Sequence, residues 1–423
     1  MKIKKILYSA GSSGFFFDDL RAIKQGVSHD GFIYNGTPMT SGFDSVRQAG
    51  ESVSIILELE DGQFAIGDAT AVQYSGAGGR DPLFLAETYI PFLEQHITPI
   101  LENLDIKNFR ETAKYLDHLR INGKQLHTAL RYGLSQAVLD AKAKSENRLM
   151  CEVLCDEYSL PVIAQGVPIF GQTGDDRYDC ADKMILKQAD VLPHALINNV
   201  DEKLGRKGEK LEEYLSWLVQ RINKLRSSES YHPTLHLDLY GTLGLIFDCQ
   251  SVKIAEYLAV LGEKAGGFPL YIEGPVDVET KAQQIELLGQ IKKQLIKLGS
   301  PVKIVADEWC NTFNDIVDFT DAACCHMIQI KTPDLGSVHN TVEAILYCKH
   351  NGVEAYQGGT CNETDISARV SVHTALAAQA QRILAKPGMG FDEGFMIARN
   401  EMSRSLQILK MKHGGNHDTK KRI

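Results

Sequence analysis

From Pro161 onward the chain alternates short apolar runs with amphipathic helices, and eight such runs occur. They are VPIFGQ ending at Gln172, DKMIL from Asp182, TLHLDLYG from Thr234, LYIEGP from Leu270, VKIVADE from Val302, HMIQIK from His326, VEAYQGG from Val353 and QRILAKPG from Gln381. Between them the pattern turns helical, as in Glu209–Leu225, where Leu211, Leu215, Leu218, Ile222 and Leu225 share one face, and in residues 278–298. Alternating β and α elements imply parallel strands joined by crossovers. Eight such units close into a (β/α)8 TIM-type barrel.

The preceding residues read differently. MKIKKILYSA and VSIILELEDGQFAIGD predict strands, the second broken by an Asp61-Gly62 turn. Helical patterns follow over residues 82–104, 108–121 and 124–145. We expect an α+β capping domain over residues 1–160, the barrel over 161–410 and a disordered polar tail over 411–423.

Composition narrows the functional classes. Of 423 residues, 45 are basic and 54 acidic, a formal charge of −9, which argues against a broad phosphate-binding surface and so against nucleic acid. At 43% hydrophobic and 23% charged the chain is too apolar for disorder and too evenly mixed for a membrane protein. Lys2, Lys4 and Lys5 precede an apolar stretch in the manner of a signal peptide, but Ser9, Gly11, Ser12, Ser13 and Gly14 break it, and a cytoplasmic location is expected. Nine cysteines, with no CxxC pair, read as reduced thiols.

Barrel enzymes work at the C-terminal ends of their strands. Strand three ends in Asp238, strand four in Glu273 and strand five in Asp307, spaced 35 and 34 residues apart, or one βα unit each. Three carboxylates at one level repel one another, and a hard divalent cation relieves this; all-oxygen ligation favours Mg2+ or Mn2+ over zinc. The plainer reading is three helix caps or strand-end surface acids. Lys331 ends strand six, on the same face as Gln329. Beside a cation its pKa would fall, leaving a neutral amine able to act as a base; alone it reads equally well as a lysine snorkelling from the rim. His194 follows strand two, so strand order sets it on the opposite flank from Lys331. Gly358, Gly359, Thr360 and Cys361 end strand seven before a helix, where backbone N–H groups suit a carboxylate or simply make a turn. Gln172 ends strand one, where an amide meets an ammonium, a carboxylate or only the rim.

Other signals fail. SGAGGRD at 75–81 lacks the glycine spacing of a dinucleotide loop. His232 and His236, four apart on a strand, are separated by roughly 13 Å, too far for one zinc.

Carboxylates on strands three to five, a lysine on strand six and an α+β cap resemble the enolase superfamily, in which a Lys or His base works beside Mg2+. The runs VADEWCNT, QIKTPDLG, DVLPHALINN, GGTCNET and AVQYSGAGGRDPLFLA are similar to those of the 3-methylaspartate ammonia-lyases, over nearly the whole chain. The two-lysine motif of the superfamily's racemase branch is absent from strand two. The resemblance implies Mg2+ on Asp238, Glu273 and Asp307, Lys331 as base for the threo substrate and His194 as the opposing acid/base or stabilising residue. It implies Gln172, Gln329, Thr360 and Cys361 as substrate-binding residues, Gln73 from the cap near the amino group, and Leu384 in the apolar wall. It further implies reversible loss of ammonia from L-threo-3-methylaspartate to give mesaconate, in glutamate degradation, with K+ as monovalent activator and a homodimeric assembly. A dehydratase or epimerase of a hydroxy acid, a Schiff-base aldolase using Lys331 and a non-catalytic amino-acid-binding barrel are the competing readings.

Overall fold

The computed structural model describes residues 2–77 and 79–413. Eight parallel strands form a closed barrel. In chain order they are Ile169–Phe170, Val191–Leu192, Thr234–Asp238, Leu270–Glu273, Lys303–Ala306, Met327–Ile330, Glu354–Gln357 and Arg382–Leu384, and the last pairs with the first. The strands are short and mostly buried on both faces, as parallel strands under a helical shell must be. Inside the barrel, Phe170, Val191, Tyr271, Val305, Met327, Tyr356 and Leu384 pack as one apolar layer. It forms a floor beneath the C-terminal mouth.

One predicted strand is a helix. DKMIL lies in the helix Asp179–Leu186, where Cys180, Ala181, Met184 and Ile185 are buried at helical spacing, and the second barrel strand is Val191–Leu192. A short apolar run suits either element, and here the four-residue repeat of burial decided.

In the cap, strands Ile3–Asp18, Arg47–Leu59 and Phe64–Thr70 make an antiparallel sheet. The helix Thr128–Ser145 lies on that sheet so closely that a Cβ at Gly133 would stand 2.5 Å from the Ala69 nitrogen. Two predicted helix bounds shift for a local reason. Asn122 and Gly123, with φ of 50° and 77°, form a hairpin turn between Arg120–Ile121 and Lys124–Gln125. The preceding helix therefore ends at Asp117 and the next begins at Thr128. Residues 82–104, expected as one helix, fold as Ala86–Phe92, a π-helical turn Leu93–Ile97 and Thr98–Glu102, with prolines at 91 and 99.

The last helix, Asp392–His413, carries Met411 to His413, where a tail was expected. Its end is held, since Lys412 and His413 both contact the Glu152 carboxylate of the cap, at 3.0 and 2.8 Å. The rest of the expected tail, 414–423, lies outside the described residues.

Candidate active site

Parallel register fixes the first two carboxylates. Asp238 and Glu273 are directly paired at the ends of neighbouring strands, and Asp307 follows one residue beyond the next strand. All three are buried. Burial and the charges of Glu273 and Asp307 push the Asp238 carboxyl well above the usual carboxylate range. Burial and Asp307 push Glu273 up to about 7. Asp238 Oδ1 accepts one backbone N–H, from Tyr240 at 3.3 Å. Buried and mutually repelling, this all-oxygen set fits a hard divalent cation.

His194 sits against the same cluster. Asp238 N–H donates to the His194 carbonyl at 3.0 Å, and Nε2 of the imidazole is 3.6 Å from Asp238 Oδ2. Atoms of His194, Asp238 and Glu273 gather within 4.8 Å of one another. Burial holds the His194 pKa below its ordinary value, so the ring is neutral, and its Nδ1 is buried without a hydrogen bond. The φ angles of His194 and Ala195, 30° and 25°, lie in the region that side chains disfavour, a strain typical of functional loops.

On the other flank, Lys331 Nζ stands 2.7 Å from Asp307 Oδ1 and donates to Asn311 Oδ1 at 3.3 Å. Burial opposes its charge, but Asp307 and Glu308 outweigh burial and raise the ammonium above the ordinary lysine value. The depression expected of this lysine belongs to the site with a cation bound. Asp307 also acts on Glu273, so a divalent cation held among these carboxylates would oppose its hold on the ammonium.

The remaining expected residues divide by position. Gln329 donates to Glu273 and to the Tyr356 hydroxyl. The Cys361 thiol points to Gln73 Oε1 at 3.6 Å, joining barrel and cap, and Thr360 lies beside it. Gln172 turns to the strand-eight loop, donating to the Gly388 carbonyl at 2.9 Å. Leu384 lies in the barrel floor.

Several neighbours escape a reading by strand ends. Tyr356 donates its hydroxyl to Glu273, 2.7 and 2.8 Å from the two oxygens. Its register partner is Gln329, and that alternation was the available signal. His236 Nε2 lies 2.7 Å from Glu273 Oε2, while its Nδ1 faces the Arg382 guanidinium at 3.1 Å. Arg80, in the run rejected as a nucleotide loop, pairs with Asp334 at 3.2 Å and so ties the cap to the loop after Lys331.

Residues 1–159 match the family described as methylaspartate ammonia-lyase N-terminus, and residues 161–411 its C-terminus. The chain belongs to the methylaspartate ammonia-lyase family. The methylaspartate ammonia-lyase of Citrobacter amalonaticus is 64% identical over 412 residues, covering 97% of this chain and all of the relative. The crystal structure of the Citrobacter enzyme containing (2S,3S)-3-methylaspartic acid superposes with a TM-score of 0.96, covering 97% of this chain and 100% of that one. A Mg-complex of β-methylaspartase from Clostridium tetanomorphum, 55% identical, gives 0.95 over 97% and 100% of the two chains. Muconate lactonizing enzyme from Pseudomonas putida, at 15% identity and a TM-score of 0.60 over 89% and 85%, shares the fold. Within the methylaspartate ammonia-lyase family, then, this chain presents a carboxylate cluster flanked by a lysine and a histidine.

Proposed function

We propose that the protein catalyses the reversible elimination of ammonia from L-threo-(2S,3S)-3-methylaspartate to give mesaconate, with Mg2+ held by Asp238, Glu273 and Asp307. The observation that carries this reading is the placement of Lys331 and His194 at opposite ends of one buried carboxylate cluster. The C3 proton of the substrate is weakly acidic, since only the adjacent carboxylate accepts the charge it leaves behind. Bound Mg2+ supplies Lewis-acid neutralisation of that charge. Lys331 takes the proton at Nζ, and Asn311, which accepts from the same atom, orients it. The electron pair then forms the C2–C3 double bond as the C2–N bond of the ammonium group breaks, its pair leaving on nitrogen as ammonia. His194, neutral and on the other flank, serves as the opposing acid/base or stabilises the charge.

Gln172, Gln329, Thr360 and Cys361 hold the substrate, Gln73 meets the amino group, and Leu384 closes the pocket on its apolar side. K+ as activator, Mn2+ as an alternative metal, a homodimer and a cytoplasmic location complete the proposal. K+ and the homodimer follow from the family likeness, and Mn2+ from the all-oxygen ligands.

The test is ultraviolet absorbance of mesaconate after adding L-threo-3-methylaspartate with Mg2+ and K+, repeated with EDTA. A rise that EDTA abolishes is expected. No rise from folded protein would overturn the reading and direct attention to hydroxy acids.

A further inference from the structure

The cap reaches the barrel mouth through Gln73, and the atoms behind Gln73 decide which end of its amide faces the site. Its Nε2 donates to Asp18 Oδ2 at 2.7 Å. Asp18 is almost fully buried and is gripped from behind by Arg47, whose Nε and one terminal nitrogen donate to the two carboxylate oxygens at 2.7 Å each. A two-pronged Arg–carboxylate pair of this kind is strong and geometrically exact in its demand. Arg47 is itself caged, with the Phe32 and Tyr34 rings 4.2 and 4.7 Å from its guanidinium and its remaining nitrogen donating to the Phe32 carbonyl at 3.2 Å. The backbone is tied at the same point, because Asp18 N–H donates to the Gln73 carbonyl at 3.0 Å.

A carboxylate only accepts hydrogen bonds, so the end of Gln73 that meets Asp18 is the NH2 group. The amide is planar, and its carbonyl oxygen therefore points away from Asp18, toward Cys361 at 3.6 Å. We infer that Asp18, locked by Arg47, is a positioning residue that fixes the Gln73 amide with its oxygen toward the substrate, making the site an acceptor for the N–H groups of the leaving ammonia. The inference rests on the proposed ammonia-lyase reading and deepens it. It assigns amine recognition to a fixed polarity of one amide, set by residues that do not touch the substrate. An amide free to turn would offer N–H donors to an ammonium that has only donors of its own.

The experiment follows the reverse reaction, measuring KM for ammonia and for mesaconate separately in the full chain with Mg2+. Asp18→Asn, of nearly the same shape, is expected to raise the KM for ammonia about fivefold, roughly the worth of one ordinary hydrogen bond. The KM for mesaconate should stay within about twofold. Because Asp18 acts through Gln73, the same substitution made in a Gln73→Ala background should leave the KM for ammonia where Gln73→Ala alone puts it. An equal rise in both KM values, or an effect of Asp18→Asn that persists without the Gln73 amide, overturns the inference. If Asp18→Asn does not fold, Arg47→Lys, which keeps the charge but loses the second prong, is judged by the same two criteria. Wild-type protein that forms no mesaconate overturns the ammonia-lyase reading itself, whereas active wild type with an unmoved KM for ammonia in the variants overturns only the role of Asp18.

Discussion

Lys331 and Asp307 form a buried ion pair of 2.7 Å, with Glu308 adding a second negative charge to the lysine's surroundings. The proposed base and a proposed metal ligand thus compete for one another. Replacing Lys331 with Met removes the proposed base, and turnover of the threo substrate should fall by roughly 10²–10⁴-fold. The same change deletes a positive charge beside the cation site, so Mg2+ measured by titration calorimetry should bind at least as tightly. Clearly weaker Mg2+ binding would show that Lys331 supports the site rather than opposing it.

Asp238→Asn makes the opposite pair of changes. It relieves a carboxylate that burial and its neighbours Glu273 and Asp307 hold well above its ordinary pKa. Melted without divalent cation, the variant should be at least as stable as the wild type, but the rise in Tm that Mg2+ gives the wild type should vanish together with turnover. A variant still stabilised by Mg2+ as strongly as wild type would remove Asp238 from the ligand set.

Tyr356 holds Glu273 from behind, donating its hydroxyl to the carboxylate. Tyr356→Phe keeps the ring in the barrel floor and deletes the donor. Groups that orient metal ligands typically matter about 10-fold or more in metal affinity, and the Mg2+ concentration for half-maximal activity should rise by about that factor. An unchanged Mg2+ dependence would mean that the neighbouring Gln329 suffices to orient Glu273.

Lys386, at the end of strand eight, is fully buried and donates to Glu363 at 2.6 Å and to Thr332 Oγ1 at 2.7 Å, while Tyr132 from the cap donates to the other Glu363 oxygen at 2.9 Å. Gly359, at φ 148°, leaves room for this cluster, since a Cβ there would strike both Lys386 and Glu363. Lys386→Met strands a buried carboxylate and should cost about 3–5 kcal/mol in denaturant unfolding. Adding Glu363→Gln should recover part of that loss. A Lys386→Met cost below about 1 kcal/mol would count against a dry, tightly paired cluster.

The ion pair of His373 and Glu401, 3.2 Å apart, joins the helices Asp365–Ala378 and Asp392–His413. Burial opposes charge on His373, but Cys151 and Glu401 outweigh it and lift its pKa to about 9. Burial likewise opposes Glu401, but His373 and Arg404 bring it down to about 2. Because the folded pKa of His373 is raised, its stabilisation is complete below about pH 6.5 and is lost as pH rises to about 9. For Glu401, depressed in the folded state, stability is present above about pH 4.5 and is lost as pH falls toward 2. Thermal melts should therefore show wild type losing more Tm between pH 6.5 and 9 than His373→Gln does. Parallel curves for the two proteins would contradict the assignment.

The order of elements was enough, read as sequence, to predict a closed parallel barrel, and the positions of Asp238, Glu273 and Asp307 in it to expect a carboxylate at the end of each of three neighbouring strands. That works because alternating strands and helices favour parallel pairing with crossover helices, which brings the C-terminal ends of successive strands to one mouth. DKMIL shows the limit of such reading, since its three apolar residues suit a strand or a helix equally well and only packing against neighbours chose the helix. The contacts that complete the site lay further beyond sequence. Cys361 meets Gln73 across 288 residues, Arg80 meets Asp334 across 254, and Tyr356 finds Glu273 across 83. No local propensity brings such pairs together. Barrel closure and the docking of the cap do, and these depend on the summed burial of a core shared by cap and barrel rather than on any one segment.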